Sequence, residues 1–283
     1  PMYKIQTLNN ISLRGLERLP RDRYEVASEL VRPDALLVRS ADVHAIEIPA
    51  SVLAVARAGA GTNNIPVAKL SQRGIPVFNA PGANANAVKE LVLAGLFLAA
   101  RNICQAWDYV RRLEGDDHAL EAAMEQGKKK FVGYELPGRT LGVVGLGAIG
   151  VEVANAALHL GMKVMGYDPQ ITVQRAWQLS SGVEQALSLD DLFARSDVVT
   201  VHVPLNDQTR GLVNASRISL MRKGSAVLNF ARGQIVDEAA VLAGLDSGQL
   251  SAYVCDFPTN AVRAHARVVA LPHLGASTGE AEE

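Results

Sequence analysis

The chain holds 283 residues, 48% of them hydrophobic and 20% charged, with 28 basic against 29 acidic side chains. That length suits about two domains, and so apolar a composition excludes a disordered chain. A net charge of −1 offers no broad basic field, so neither nucleic acid nor an acidic membrane is an expected partner.

In chain order, short apolar runs predict strands at Tyr3–Thr7, Ala35–Arg39, Leu53–Arg57, Val77–Phe78, Leu141–Val144, Lys163–Tyr167, Val198–Val203, Ala226–Asn229, Ala252–Cys255 and Val268–Ala270. Most are continuous Val, Leu and Ala rather than alternating, as in parallel strands buried on both faces. Helical stretches separate them, so the expected class is α/β with two doubly wound parallel-sheet domains. The first block ends near Pro81-Gly82 and the second opens at Leu141. Between them, Asn86–Asn102 is apolar nearly all round, which predicts a buried helix, and Trp107–Lys130 reads as a second, more polar helical segment. The uncharged run Leu91–Ala100 lies inside the first of these and is too short for a ~20-residue membrane span. At the far end, Ser277 or Thr278 reads as the N-cap of a helix that would continue past Glu283.

No basic-then-apolar leader opens the chain. Cys104 and Cys255 lie outside any CxxC pair, which points to a reduced, cytoplasmic setting. No spacing of His, Cys, Asp and Glu predicts a metal site, and neither a Gly-x-Ser-x-Gly elbow nor a P-loop occurs.

The strongest motif is Gly145-Leu-Gly147-Ala148-Ile149-Gly150, set between an apolar strand and the helical stretch Val151–Leu160. Gly145 permits a tight turn, Gly147 admits a pyrophosphate to the backbone, and Gly150 lets the helix pack on the strand. The free N–H groups of the helix start then face the phosphates. Asp168 ends the next strand, 168 − 150 = 18 residues past the third glycine. A carboxylate there accepts from a ribose 2′-OH and repels a 2′-phosphate, which favours NAD over NADP. Taken alone, the same residues could be a packing turn followed by an Asp-Pro turn.

Three groups with chemical capacity close later strands. Arg232, in Asn229-Phe230-Ala231-Arg232-Gly233, carries a planar fork suited to a carboxylate, although an arginine there could equally cap the strand or pair with Asp237. His273, in Pro272-His273-Leu274-Gly275, can exchange a proton near neutral pH, although a histidine in such a turn is often structural. Asp256, in Cys255-Asp256-Phe257-Pro258, could orient the His273 ring, hold a cofactor amide or simply form a turn. His202-Val203-Pro204 closes another strand as wall of the nucleotide crevice, while His44, His118, His159 and His265 read as surface residues.

The order of these motifs, together with Val38-Arg39-Ser40, Gly61-Thr62-Asn63, Gly74–Pro81 and Leu274–Thr278, resembles the D-2-hydroxyacid dehydrogenase family over nearly the whole chain. Within the family the resemblance is greatest to the branch that oxidises D-3-phosphoglycerate in serine biosynthesis. It implies a substrate domain over residues 1–86, closed by a helix from 277 onward, and an NAD-binding Rossmann domain over 87–276. It also implies a homodimer formed through about 87–138. Arg232 would bind the substrate carboxylate, His273 would be the acid/base and Asp256 would assist. NAD would lie against Gly145, Gly147, Ala148, Ile149, Gly150, Asp168, His202, Val203, Pro204, Thr209, Phe230, Ala231, Arg232, Asp256, His273 and Gly275. Arg39, Ser40, Ala60, Gly61 and Asn84 match substrate-contacting positions.

Two features bear on that assignment. The family places a Glu shortly after the Asp256 strand, but this chain reads Asp256-Phe-Pro-Thr-Asn260-Ala261, so either Asp256 takes over its role or His273 works without a carboxylate partner. Loss of a charged partner disfavours an imidazolium, which predicts a pH–rate limb below that of relatives retaining the Glu. Lys128-Lys129-Lys130 fits a clamp for a substrate phosphate, reaching a neighbouring subunit's cleft, or a solvated helix end. A dehydrogenase for D-lactate, glyoxylate or hydroxypyruvate, and an NAD(H)-sensing dimeric binding protein of the same fold, are the alternative readings.

Overall fold

The computed structural model describes residues 2–283. The chain divides into two compact units, Pro1–Ala87 with Ala276–Glu283, and Val88–Gly275.

The first unit carries β1 (Tyr3–Leu8), β2 (Tyr24–Ala27), β3 (Ala35–Val38), β4 (Ala54–Arg57) and β5 (Val77–Phe78) in a parallel sheet of order β2-β1-β3-β4-β5. This is the flavodoxin-like order, in which the chain reverses direction beside β1. Its core joins Leu36, Val38 and Val55 of the sheet to Val43, Val52, Ile65, Leu70 and Ile75. At the far end Thr278 accepts from the Ala281 N–H and caps the helix Gly279–Glu282.

The second unit contains β6 (Thr140–Val144), β7 (Lys163–Tyr167), β8 (Val183–Gln185), β9 (Val198–Val201), β10 (Ser225–Asn229), β11 (Leu250–Cys255) and β12 (Val268–Ala270). They form one parallel sheet of order β12-β11-β10-β9-β6-β7-β8. Alternate residues go to opposite faces: Val143, Val164, Leu228 and Val254 join one buried cluster, Val144, Met165, Val227 and Tyr253 the other. Burial on both faces is why the inner strands are largely continuous apolar runs. The chain turns back between β6 and β9, which opens a crevice at their carboxyl ends where open α/β sheets bind ligands.

Two strands were not among those expected. Both β2 and β8 are edge strands, and their half-exposed residues, Tyr24-Glu-Val-Ala and Val183-Glu-Gln, give no apolar run to read. The segment Trp107–Lys130 is not one helix. The helix Ile103–Arg111 stops, Gly115 takes φ +121° and Asp116 caps a new helix, Asp117–Gly127, before a 3-10 turn at Lys128–Phe131. The preceding helix, Ala85–Arg101, is also not buried all round: Val88, Val92, Leu96 and Ala99 enter the core but Phe97 is exposed. Among the described residues no helix is long and apolar enough to cross a membrane.

Candidate active site

The glycine turn follows β6 directly. Gly145 adopts φ +89°, and a Cβ there would lie 2.5 Å from the His202 carbonyl oxygen. A Cβ on Gly150 would run into the Gly145 carbonyl oxygen. Gly147 is different, because a Cβ there would meet nothing within 4 Å. It is the N-cap of the helix Ala148–His159 and supplies no side chain to the first turn. Among the described residues the first-turn amides of Ala148 and Ile149 have no hydrogen-bond partner, and with the positive end of the helix behind them they form a cradle that fits a dinucleotide pyrophosphate.

Asp168, after β7, fixes this turn. Its Oδ2 accepts from the Leu146 N–H at 2.9 Å and its Oδ1 from the Gln170 N–H at 2.9 Å. Each carboxylate oxygen keeps lone-pair capacity for a ribose hydroxyl. After β9, Thr209 folds the loop back, donating to the Pro204 carbonyl at 2.6 Å and accepting from the Asn206 N–H at 2.9 Å. Val203 packs on Gly145, its Cγ1 2.8 Å from a Cβ there.

His202 is half-buried, with its ring enclosed by protein and its Nε2 2.9 Å from the Thr200 hydroxyl. Burial pushes its pKa down to about 4, so the wall of the crevice is neutral at ordinary pH. Because the folded value lies below that of an unfolded histidine, the neutral ring favours the fold above pH ~6.5. That contribution is lost as the pH falls toward 4. In urea titrations His202→Gln should flatten the stability–pH curve over this window; an unchanged slope would show that the ring is solvated.

The Arg232 turn is pinned from below. Asn229, fully buried at the end of β10, donates from Nδ2 to the Arg232 carbonyl at 2.9 Å and accepts the Ala231 N–H at 3.1 Å. Phe230 packs into the hollow at Gly95 of the long helix. The Arg232 guanidinium donates to the Ala231 carbonyl at 2.6 Å and is half-buried, which lowers its pKa from the free-arginine value without threatening its charge.

Asp256 is 1% exposed and holds the His273 loop through the backbone. Its carbonyl accepts from the His273 N–H at 3.0 Å, Oδ1 from Leu274 N–H at 2.8 Å, and Oδ2 from Gly275 N–H at 2.9 Å. Thus the carboxylate grips the loop, and among the described residues no carboxylate hydrogen-bonds the His273 ring. His273 itself sits at φ +57°, the left-handed region that costs a residue with a side chain about 1 kcal/mol or more. Three bonds from one residue hold it there.

The structure therefore gathers Gly145, Gly147, Ala148, Ile149, Gly150, Asp168, His202, Val203, Pro204, Thr209, Phe230, Ala231, Arg232, Asp256, His273 and Gly275 on the carboxyl ends of one sheet. Phe257 was not foreseen: its ring centroid lies 4.6 Å from that of His273 and 5.7 Å from the Arg232 guanidinium carbon. Asn229 was also unforeseen as the anchor of the Arg232 turn, though its place in the motif was visible.

In the first unit, Arg39, Ser40, Ala60 and Gly61 follow β3 and β4 at the same edge of their own sheet. Asn9 accepts the Ser40 N–H at 3.0 Å and also the Ala41 N–H, while Asn64 donates to the Ala41 carbonyl at 2.8 Å. Arg39 pairs with Glu282 at 2.7 Å, and Asn79 donates to the Ala60 carbonyl at 2.7 Å. Asn84, just before the long helix, has a buried Oδ1 with no protein partner. The lysine tract makes its contacts elsewhere: Lys128 pairs with Glu125 at 2.5 Å and Lys130 lies 5.7 Å from the Tyr109 ring centroid.

Residues 93–275 match the family model described as D-isomer specific 2-hydroxyacid dehydrogenase, NAD binding domain. The D-3-phosphoglycerate dehydrogenase of Archaeoglobus fulgidus is 38% identical over 98% of this chain and 52% of its own length. The hydroxypyruvate reductase of Thermotoga maritima is 37% identical over 94% of this chain and 85% of its own. The chain thus spans about half the length of several curated relatives it matches. Among solved structures, apo D-mandelate dehydrogenase of Rhodotorula graminis superposes with a TM-score of 0.83 at 26% identity, covering 100% of this chain and 90% of that one. The NAD+-bound 3-phosphoglycerate dehydrogenase of Entamoeba histolytica gives 0.75 at 25% identity, covering 100% and 91%. The strand orders, the glycine cradle and these matches agree: the chain belongs to the D-isomer specific 2-hydroxyacid dehydrogenases, and its seven-stranded unit is their NAD-binding domain.

Proposed function

We propose that the protein oxidises D-3-phosphoglycerate to 3-phosphohydroxypyruvate, with NAD as cofactor, as a step toward serine in the cytoplasm. The observation that carries the reading is the cluster of Arg232 and His273 around one aromatic ring, on the same sheet edge as the glycine cradle. When bound, NAD supplies the hydride acceptor. Arg232 binds the carboxylate with its fork and draws charge from the carbonyl forming at C2. His273 takes the hydroxyl proton on an imidazole nitrogen, and returns it in the reverse reaction. The five-stranded unit is the substrate domain, and Arg39, Ser40, Ala60, Gly61 and Asn84 are its contacts to the acid. Lys128, Lys129 and Lys130 clamp the substrate phosphate. Several relatives about 38% identical carry the D-3-phosphoglycerate dehydrogenase name, which supports this acid over others. Cys104 and Cys255 are free thiols, as suits a reducing compartment.

The test is NADH formation with a panel of 2-hydroxy acids, repeated with Arg232→Ala, His273→Ala and a triple Lys128→Ala, Lys129→Ala, Lys130→Ala variant. Turnover should be highest with D-3-phosphoglycerate, vanish in the first two and show a raised KM in the third. A second reading rests on the Thermotoga maritima relative, which the chain covers over 85% of its length. Preference for an unphosphorylated acid would favour it, and turnover with no acid would favour an NAD(H)-binding protein.

We also infer a homodimer. Ile103, Trp107 and Val110 line one face of the helix Ile103–Arg111 and, with Phe97, surround an open apolar groove. A face so apolar calls for a cover, and it falls in the segment that resembles the family's dimer region. Trp107→Glu should sediment as a monomer with its Tm hardly changed; an unaltered dimer would place the interface elsewhere.

A further inference from the structure

We propose that Phe257 is a positioning residue that seats both the His273 imidazole and the Arg232 guanidinium. The proposal rests on the reading above, that these two groups act on the substrate. Phe257 follows Asp256 directly, so the residue that fixes the His273 backbone is joined to the one that meets its ring. The imidazole lies 4.6 Å from the phenyl centroid at 50°, and the guanidinium carbon approaches the same ring at 5.7 Å. Both contacts use the negative face and positive edge of an aromatic ring, which favour tilted pairs and cations over aliphatic neighbours.

Core packing does not account for this phenyl group. Phe257 is half-buried and belongs to none of the buried apolar clusters. Its backbone also passes close to the arginine turn, since a Cβ on Gly233 would come within 3.3 Å of the Phe257 carbonyl oxygen. With the Asp256 carboxylate engaged by the Leu274 and Gly275 amides, the ring of Phe257 limits imidazole rotation where no acid does. One side chain then sets the spacing between the group that takes the proton and the group that holds the carboxylate.

The experiment compares Phe257→Leu and Phe257→Tyr in the full chain, with His273→Ala as reference. Phe257→Leu should lower kcat about tenfold or more and raise KM for the acid, through misplacement of both groups. Its Kd for NADH, read by fluorescence, and its Tm should match the parent. Phe257→Tyr, which keeps the ring, should restore kcat to within about twofold. An unchanged kcat in Phe257→Leu, beside an inactive His273→Ala, overturns this proposal alone. Equal losses of kcat and Tm in Leu and Tyr variants also overturn it, since they would mean a packing role. Full turnover in His273→Ala overturns the underlying reading instead.

Discussion

Asp256→Ala is expected to cut kcat/KM about a hundredfold while destabilising the seven-stranded unit by about 3 kcal/mol. Two amides, Leu274 and Gly275, lose an ionised acceptor at 2.8 and 2.9 Å in a site 1% exposed. Buried donors left without partners cost more than the bonds were worth on balance. At ~2–4 °C per kcal/mol, the transition of this unit should fall by roughly 8 °C. The kinetic loss follows from the strain at His273. Its φ of +57° persists only while its neighbours hold it, and a relaxed loop moves the imidazole by an ångström or so, enough for about 10²-fold. Asp256→Asn keeps one acceptor but turns an NH2 toward the other amide, so it should fall between parent and alanine variant in both measurements. Parent-like activity in Asp256→Ala would show that the loop is set by other contacts.

This role for Asp256 marks the limit of what the chain reveals unfolded. Its position after an apolar strand announces a ligand-facing residue, yet a turn-forming, a ring-orienting and a loop-gripping aspartate look alike in sequence. Only the positions of the Leu274 and Gly275 amides separate them. Phe257 is hidden for a related reason: an aromatic beside a strand end reads as core until its neighbours are known. Strands such as β6, β9, β10 and β11 were legible because burial on both faces demands unbroken apolar runs. Edge strands β2 and β8 face that demand on neither margin, so nothing in Glu25 or Glu184-Gln185 signals them. The break at Gly115-Asp116 was readable, since a glycine before a capping aspartate is punctuation; helical periodicity on either side masked it.

The glycine turn offers the sharpest division of structural from functional residue types, because one substitution at two sites should have opposite readouts. Gly150→Ala should destabilise the unit by about 2 kcal/mol, as expected of overpacking. The added Cβ meets the Gly145 carbonyl oxygen, which belongs to backbone and cannot swing aside, so helix and strand must part. NAD binding then weakens as a consequence of lost order. Gly147→Ala should leave Tm nearly unchanged, because a Cβ there meets nothing within 4 Å and alanine at an N-cap already free of side-chain bonds forfeits none. If the pyrophosphate approaches the Ala148 and Ile149 amides as proposed, that methyl stands in its way, and KM for NAD should rise about tenfold or more, the cost of roughly 1.4 kcal/mol of lost binding. Calorimetry and NADH fluorescence on the two variants separate the cases. A Gly147→Ala protein that binds NAD like the parent would remove the pyrophosphate from this turn, whereas a Gly150→Ala protein with parent-like Tm would mean that the helix shifts freely on the strand.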